Sequence, residues 1–157
     1  MPEFDLSSPA LALWSAAAAG AATGILPIGL AEATALAIGL VMPRWLAFAM
    51  WGAFTLGHVA AKLPWYALGR HGDRAVGRWG AWHLAKARAM LAERPQYGVG
   101  VLGLSAVLSV PPFHLAAIAA GLIRVPFLPF VATCLGGRLL RFGALVTAPQ
   151  LLRPLFG

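Results

Sequence analysis

Apolar residues run almost unbroken from about Pro9 to Val41, with Glu32 as the only formal charge among them. The run exceeds the roughly 20 residues that cross a bilayer once as helix, and Gly24, Pro27 and Gly29 interrupt it. Proline lacks the amide hydrogen and crowds the preceding turn, so Pro27 predicts a helix break or a fresh start, loosened by Gly29. A re-entrant helical hairpin that enters and leaves on one side fits this pattern, and so do two tilted spans. Pro43 and Arg44 then mark a turn, after which residues 45 to 69 form a second apolar stretch with Trp45 near one end and Trp65 and Tyr66 near the other. Aromatic residues at the two ends of a span match the membrane–water interface.

Residues 71 to 94 change character. On a helix, Val76, Trp79, His83, Ala87, Met90 and Leu91 share one face, and Arg74, Arg78 and Arg88 share the other. This predicts a basic amphipathic connector lying in the interface, with its arginines near lipid phosphates and its tryptophan at the acyl boundary. A solvated helix packed on its own protein has the same two-faced pattern. From Tyr97 the apolar pattern restarts with Gly98, Gly100 and Gly103, breaks at Pro111 and Pro112, and ends in a last apolar segment from about Pro126 to Leu152.

The two apolar halves echo each other. "AIGLVMPRWLAF" and "AAGLIRVPFLPF" each carry small-Gly-Leu, then a proline and a bulky residue. Seven places before Gly39 stands Glu32, and seven before Gly121 stands His114; five places after Gly57 stands Lys62, and five after Gly136 stands Arg141. Paired, proline-interrupted segments in corresponding positions are the sequence pointer to an inverted-repeat transporter whose site lies near the midplane. The predicted fold is an all-α integral membrane domain covering 1–157, with repeat one at about 9–70, the connector at about 71–95 and repeat two at about 97–152. Each repeat is a broken hairpin plus a transmembrane helix.

Composition agrees: 60% of residues are hydrophobic, 11% are charged and mean hydropathy is +0.77. The net charge of +7 gathers between apolar segments. Arg70, Arg74, Arg78, Lys86, Arg88 and Arg94 face only Asp73 and Glu93 there, which is the pattern of a cytoplasmic loop. With that loop inside, the two spans run in opposite directions. Nucleic acid is disfavoured, because the basic stretch adjoins spans and carries interfacial tryptophan. Glu3 and Asp5 stand where a cleavable leader would be basic, so none is expected. Cys134 is the single cysteine and cannot form an intrachain disulfide. No Gly-x-Ser-x-Gly elbow, His-Glu-x-x-His pair or Walker loop occurs, and four scattered histidines with one cysteine make no metal cluster, so neither an enzyme nor a cofactor is expected.

Pro27, Glu32 and Gly39, then Gly57, Tyr66, Gly69 and Arg70, then Pro111, Ala120, Gly121, Pro126 and Phe127 follow the order and spacing of three motifs of the DedA family, the bacterial branch of the VTT or SNARE-associated Golgi proteins. The chain resembles that family over most of its length after about residue 24. It departs at charged positions: Lys62 stands where the family usually has an acid, Leu108 and His114 approximately where it has two arginines, and Thr23 near an earlier glutamate. The resemblance implies movement of lipids, polyprenyl-phosphate carriers among them, across a bacterial inner membrane with dependence on the proton-motive force, and a role in membrane homeostasis.

An acid at bilayer depth costs at least ~2.5 kcal/mol on insertion scales, so Glu32 must be neutral, paired or facing a wet cavity. It and His114 are the proton-coupling candidates, histidine being suited to a relay. The plainer roles are satisfying broken-helix amides for Glu32 and packing for His114. Lys62, Arg70, Arg138 and Arg141 are the anion-binding candidates, or alternatively snorkelling and anchoring residues. Arg74, Arg78, Trp79 and Arg88 are the membrane-interface set. His58, one turn before Lys62, reads as a packing residue. The expected partners are membrane lipids, anionic ones above all, and a second copy of the chain through close contacts at Gly136 and Gly137. The expected function is DedA-like, proton-linked movement of an anionic lipid or small anion; the alternative is a non-transporting membrane module acting through helix and lipid contacts.

Overall fold

The computed structural model describes residues 8–25, 30–72, 85, 88–89, 93, 95–110 and 112–156. Among them the chain is all-helical: α1 (Pro9–Ile25), α2 (Leu30–Val41), α3 (Arg44–Ala60), α4 (Leu63–His71), α5 (Pro95–Leu108), α6 (Phe113–Leu122) and α7 (Phe127–Phe156). α1 and α2 end and begin on either side of the stretch that holds Pro27 and Gly29, where the sequence predicts the break. The amphipathic connector, with Arg74, Arg78 and Trp79, lies outside the described residues apart from His71, Gly72, Ala85, Arg88, Ala89, Glu93 and Pro95.

Prolines set several of the other boundaries. Pro43 caps α3 in extended conformation, and its carbonyl accepts the Ala47 amide at 2.9 Å; Pro126 does the same for Phe130 at 3.1 Å at the start of α7. Pro64 lies in the first turn of α4 and has no amide to continue the α3 ladder, so the predicted span 45–69 is divided by a turn at Ala61 and Lys62. α6 ends with Arg124 left-handed at φ 59°, the Val125 amide returning 2.9 Å to Ala120 O. That is a Schellman-type stop built without the usual glycine. Two stretches, Arg44–His71 and Phe127–Leu152, are long and apolar enough to cross a membrane.

The chain divides into two compact units. Unit one comprises Met1–Ala61 and Arg138–Gly157, and unit two comprises Lys62–Gly137. Each therefore holds one hairpin, the beginning of the long apolar stretch that follows it, and the end of the other long stretch. In unit one α1 packs on α3, and in unit two α4 packs on α6.

Small residues make these approaches. On α1 the buried positions are Ala12, Ala16, Gly20 and Gly24, one every fourth residue. A Cβ on Gly20 would strike the Phe54 carbonyl, and one on Gly57 would strike the Ala17 carbonyl, so the α1 and α3 backbones touch from both sides. Gly69 and Gly121 do the same for α4 and α6, against the Ile118 and Tyr66 carbonyls.

Bulk lies elsewhere. Phe54 and Phe142 fill the core of unit one with ring centroids 5.1 Å apart, and Tyr66 stacks on Phe130 at 4.3 Å in unit two. The large aliphatic and aromatic residues Trp14, Val41, Leu104, Leu128 and Leu140 point outward and are exposed.

Candidate functional site

In unit one, Glu32 stands in the first turn of α2, the end of a helix that favours negative charge. Arg141, fifteenth of the 30 residues of α7, presents Nε and Nη2 to the same carboxylate oxygen, Oε1, at 3.0 and 2.9 Å. Arg138, one turn earlier, reaches that oxygen at 4.0 Å from Nη1 and lays its guanidinium over the Phe142 ring at 5.5 Å. Arg138 is buried, whereas Glu32 and Arg141 keep 30% and 25% of their side-chain surface, so the pair can still be reached from outside the unit. Among the anion-binding candidates, Arg141 pairs with Glu32 directly.

Further contacts fix the direction of α2. Gly39 lies against the Val146 backbone, and Gln150 Nε2 donates to Gly39 O and, at 3.1 Å, to Met42 O. Residues 32, 39 and 42 thus meet 141, 146 and 150 in order, so α2 runs parallel to the second half of α7. At 12 residues, α2 is about 18 Å long, roughly half a bilayer.

Unit two repeats this geometry with other side chains. Lys62, 4% exposed, sets its ammonium 5.7 Å from the Phe113 ring centroid, and Trp65 meets the half-buried His114 ring at 6.3 Å. Gly69 approaches Ile118, Gly121 approaches Tyr66, and Tyr66 Oη donates to Val125 O at 2.6 Å. Residues 62, 65, 69 and 72 meet 113, 114, 118 and 122 in order, so α6 runs parallel to α4 as α2 does to the end of α7. The carbonyl just before each turn proline, Met42 O before Pro43 and Val125 O before Pro126, is capped by a side chain of the parallel helix. Glu32 beside Arg141 and His114 beside Trp65 stand at corresponding positions, each seven places before the close-packed glycine of its helix.

Arg70 and Arg88, also singled out from sequence, have structural partners. Arg70, exposed, donates from Nη1 to Tyr66 Oη at 2.9 Å. Arg88 donates through Nε and Nη2 to Leu122 O at 2.9 and 2.7 Å, capping α6 where cations are favoured. Gly137 packs on Ala106 and Gly136 faces open space. Cys134 is buried as a thiol.

Sequence reasoning gave no role to Gln150 or to the pairing of Thr23 with His58. Thr23 Oγ1 lies 3.4 Å from His58 Nδ1, and the imidazole stacks on Phe54 and meets Phe142 edge-on. The signal was present, because each is a polar residue on an apolar helix, where a hydrogen-bond partner is required.

No group of three metal-ligating side chains occurs among the described residues. Compared with family models, with curated proteins and with solved structures, the chain shows no match.

Proposed function

We propose that the chain is an integral membrane protein of two inverted repeats on a DedA-like scaffold, moving an anionic lipid or small anion in a proton-linked cycle. Exposed leucines, valines and tryptophans on helices that meet through alanine and glycine support a lipid surrounding. The corresponding parallel packing of α2 and α6, each on the end of the other repeat's long stretch, supports the inverted repeat. The proposed membrane is the bacterial inner one, with 70–95 cytoplasmic.

The observation that carries the functional reading is the Glu32–Arg141 pair at the middle of α7. A carboxylate and a guanidinium at bilayer depth are costly, and such residues default to function. Their geometry couples proton to anion by competition. An ionised Glu32 occupies Arg141, and protonating it removes the negative charge and frees the guanidinium for an anionic group. Deprotonation then returns Glu32 to Arg141 and displaces that group.

The test is lipid flip and pH-jump flux in proteoliposomes, native chain against Glu32→Gln. Proton-dependent flux that disappears in the variant is the expected result; flux with unchanged pH dependence would refute the role of Glu32. A second reading, a non-transporting module, draws on the direct contact of the pair, which then serves as a fixed pin between α2 and α7. It predicts no flux in either protein and loss of thermal stability in the variant.

A further inference from the structure

The occupant of Arg141 shows which chemistry this guanidinium accepts, because it is a carboxylate supplied by the chain itself. Nε and Nη2 form one edge of the planar group, and both donate to a single oxygen, Glu32 Oε1, at 3.0 and 2.9 Å. The same edge can serve the two oxygens of one carboxylate in parallel, the alignment in which arginine binds that group most specifically. A carboxylate that is not tied to α2 is free to take it up. Arg138 stands behind: its side chain is 4% exposed, against 25% for Arg141, and its Nη1 comes no closer to Oε1 than 4.0 Å. Arg141 is therefore the cation presented outward, and Arg138 adds positive field from within the unit.

We infer that the group exchanged with Glu32 on Arg141 is the carboxylate of a monocarboxylic acid with an apolar body, either a small water-soluble acid or a fatty acid. Charge favours it over phosphate. The cost of taking an ion out of water rises with the square of its charge, so a half-buried guanidinium takes up a monoanion more readily than a dianion. The exchange also leaves the net charge of the site unchanged, since a proton on Glu32 and one incoming carboxylate replace one ionised Glu32. The surroundings favour an apolar body. Leu36 and Leu145 stand four residues after Glu32 and Arg141 on the two parallel helices, one turn further along in the same direction, Leu36 exposed and Leu145 half-buried. This deepens the transport reading by naming a substrate class, and it rests on that reading for its use in a cycle; the binding itself is measured apart from flux.

The experiment follows fluorobenzoate by fluorine NMR against the full chain in phosphatidylcholine nanodiscs at neutral pH, with empty nanodiscs as the blank. The native chain should bind it weakly, because the tethered Glu32 competes at high effective concentration. Glu32→Gln removes that competitor and keeps its shape, so the expected binding is tighter than native by roughly tenfold or more. Adding Arg141→Gln to Glu32→Gln should abolish it. If that double variant does not fold, judged by circular dichroism and gel filtration, Arg141→Lys replaces Arg141→Gln, with a several-fold loss expected because the planar fork is gone. Acetate and laurate then compete with the probe: displacement by acetate names a small water-soluble acid, and displacement by laurate alone names a fatty acid. Inorganic phosphate should compete more weakly. Equal binding by the native chain and Glu32→Gln, binding indifferent to Arg141, no displacement by either carboxylate, or displacement by phosphate as strong as theirs would each overturn the carboxylate site. Binding without flux would remove the transport reading and keep the site; proton-dependent flux lost in Glu32→Gln, with no binding of the probe, would do the reverse.

Discussion

Units one and two share a backbone plan and differ in charge. Each sets the second helix of a hairpin parallel to the end of a long apolar stretch, seats it through a glycine on the neighbouring backbone, and caps the carbonyl before the turn proline from that parallel helix. The caps are Gln150 in one and Tyr66 in the other. At the hairpin's ionisable position the likeness ends: Glu32 binds Arg141 directly, whereas His114 lies beside Trp65. Small residues at fixed spacing specify the packing, and chemistry is set by side chains that can change without disturbing it.

The largest effect that would break the comparison is a side chain forced between helices. Gly57→Leu in unit one and Gly69→Leu in unit two each drive Cβ into a backbone carbonyl, and each should cost about 3 kcal/mol or more. A Cβ at Gly52 meets nothing within 4 Å, so Gly52→Ala should cost nothing. Thermal denaturation in detergent compares the three, and a tolerated Gly57→Leu would mean that the close approach is not required.

Next comes the ion pair. Arg141→Gln leaves Glu32 without its main partner and should cost about 2 kcal/mol, below the cost for a fully buried pair because both side chains keep some exposure. Adding Glu32→Gln should return much of that loss, so the double-mutant cycle has a positive coupling. Lys62→Gln in unit two should show no such coupling to His114→Gln, since neither side chain is an anion.

The caps are smaller. Gln150→Ala and Tyr66→Phe each remove a donor from the end of a hairpin helix and should cost about 1 kcal/mol. Unequal losses, read from the same melts, would show that the two turns are held differently. Smallest, Arg124→Gly relieves a left-handed backbone at φ 59° and should stabilise by about 0.5 kcal/mol, the entropy of the unfolded glycine offsetting part of the gain.

Much of this plan is legible in the sequence because proline and glycine act locally. Pro43 and Pro126 mark helix starts, Pro27 falls between α1 and α2, and the seven-residue spacing from Gly39 to Glu32 and from Gly121 to His114 aligns the two hairpins. Pairing is less legible, because it depends on contacts distant in the chain. The sequence does not say which cation meets Glu32; the parallel packing of α2 on α7 brings residue 141, and Arg138 beside it, to the start of α2. Arg88 reads as a lipid-facing cation from its helical face, but its guanidinium caps α6 through Leu122 O, a contact between residues 34 apart. Pro64 divides the stretch 45–69, although hydropathy alone reads through it.

The central proposal is that the repeats at about 9–70 and about 97–152 are inverted in a membrane, and orientation tests it most directly. Reporter tags inserted after Arg44 and after Arg124, in the corresponding turns before α3 and α7, measure the side of each turn in intact cells. The account predicts opposite sides, with the turn at Arg44 outside and the turn at Arg124 inside. Both tags on one side would contradict it.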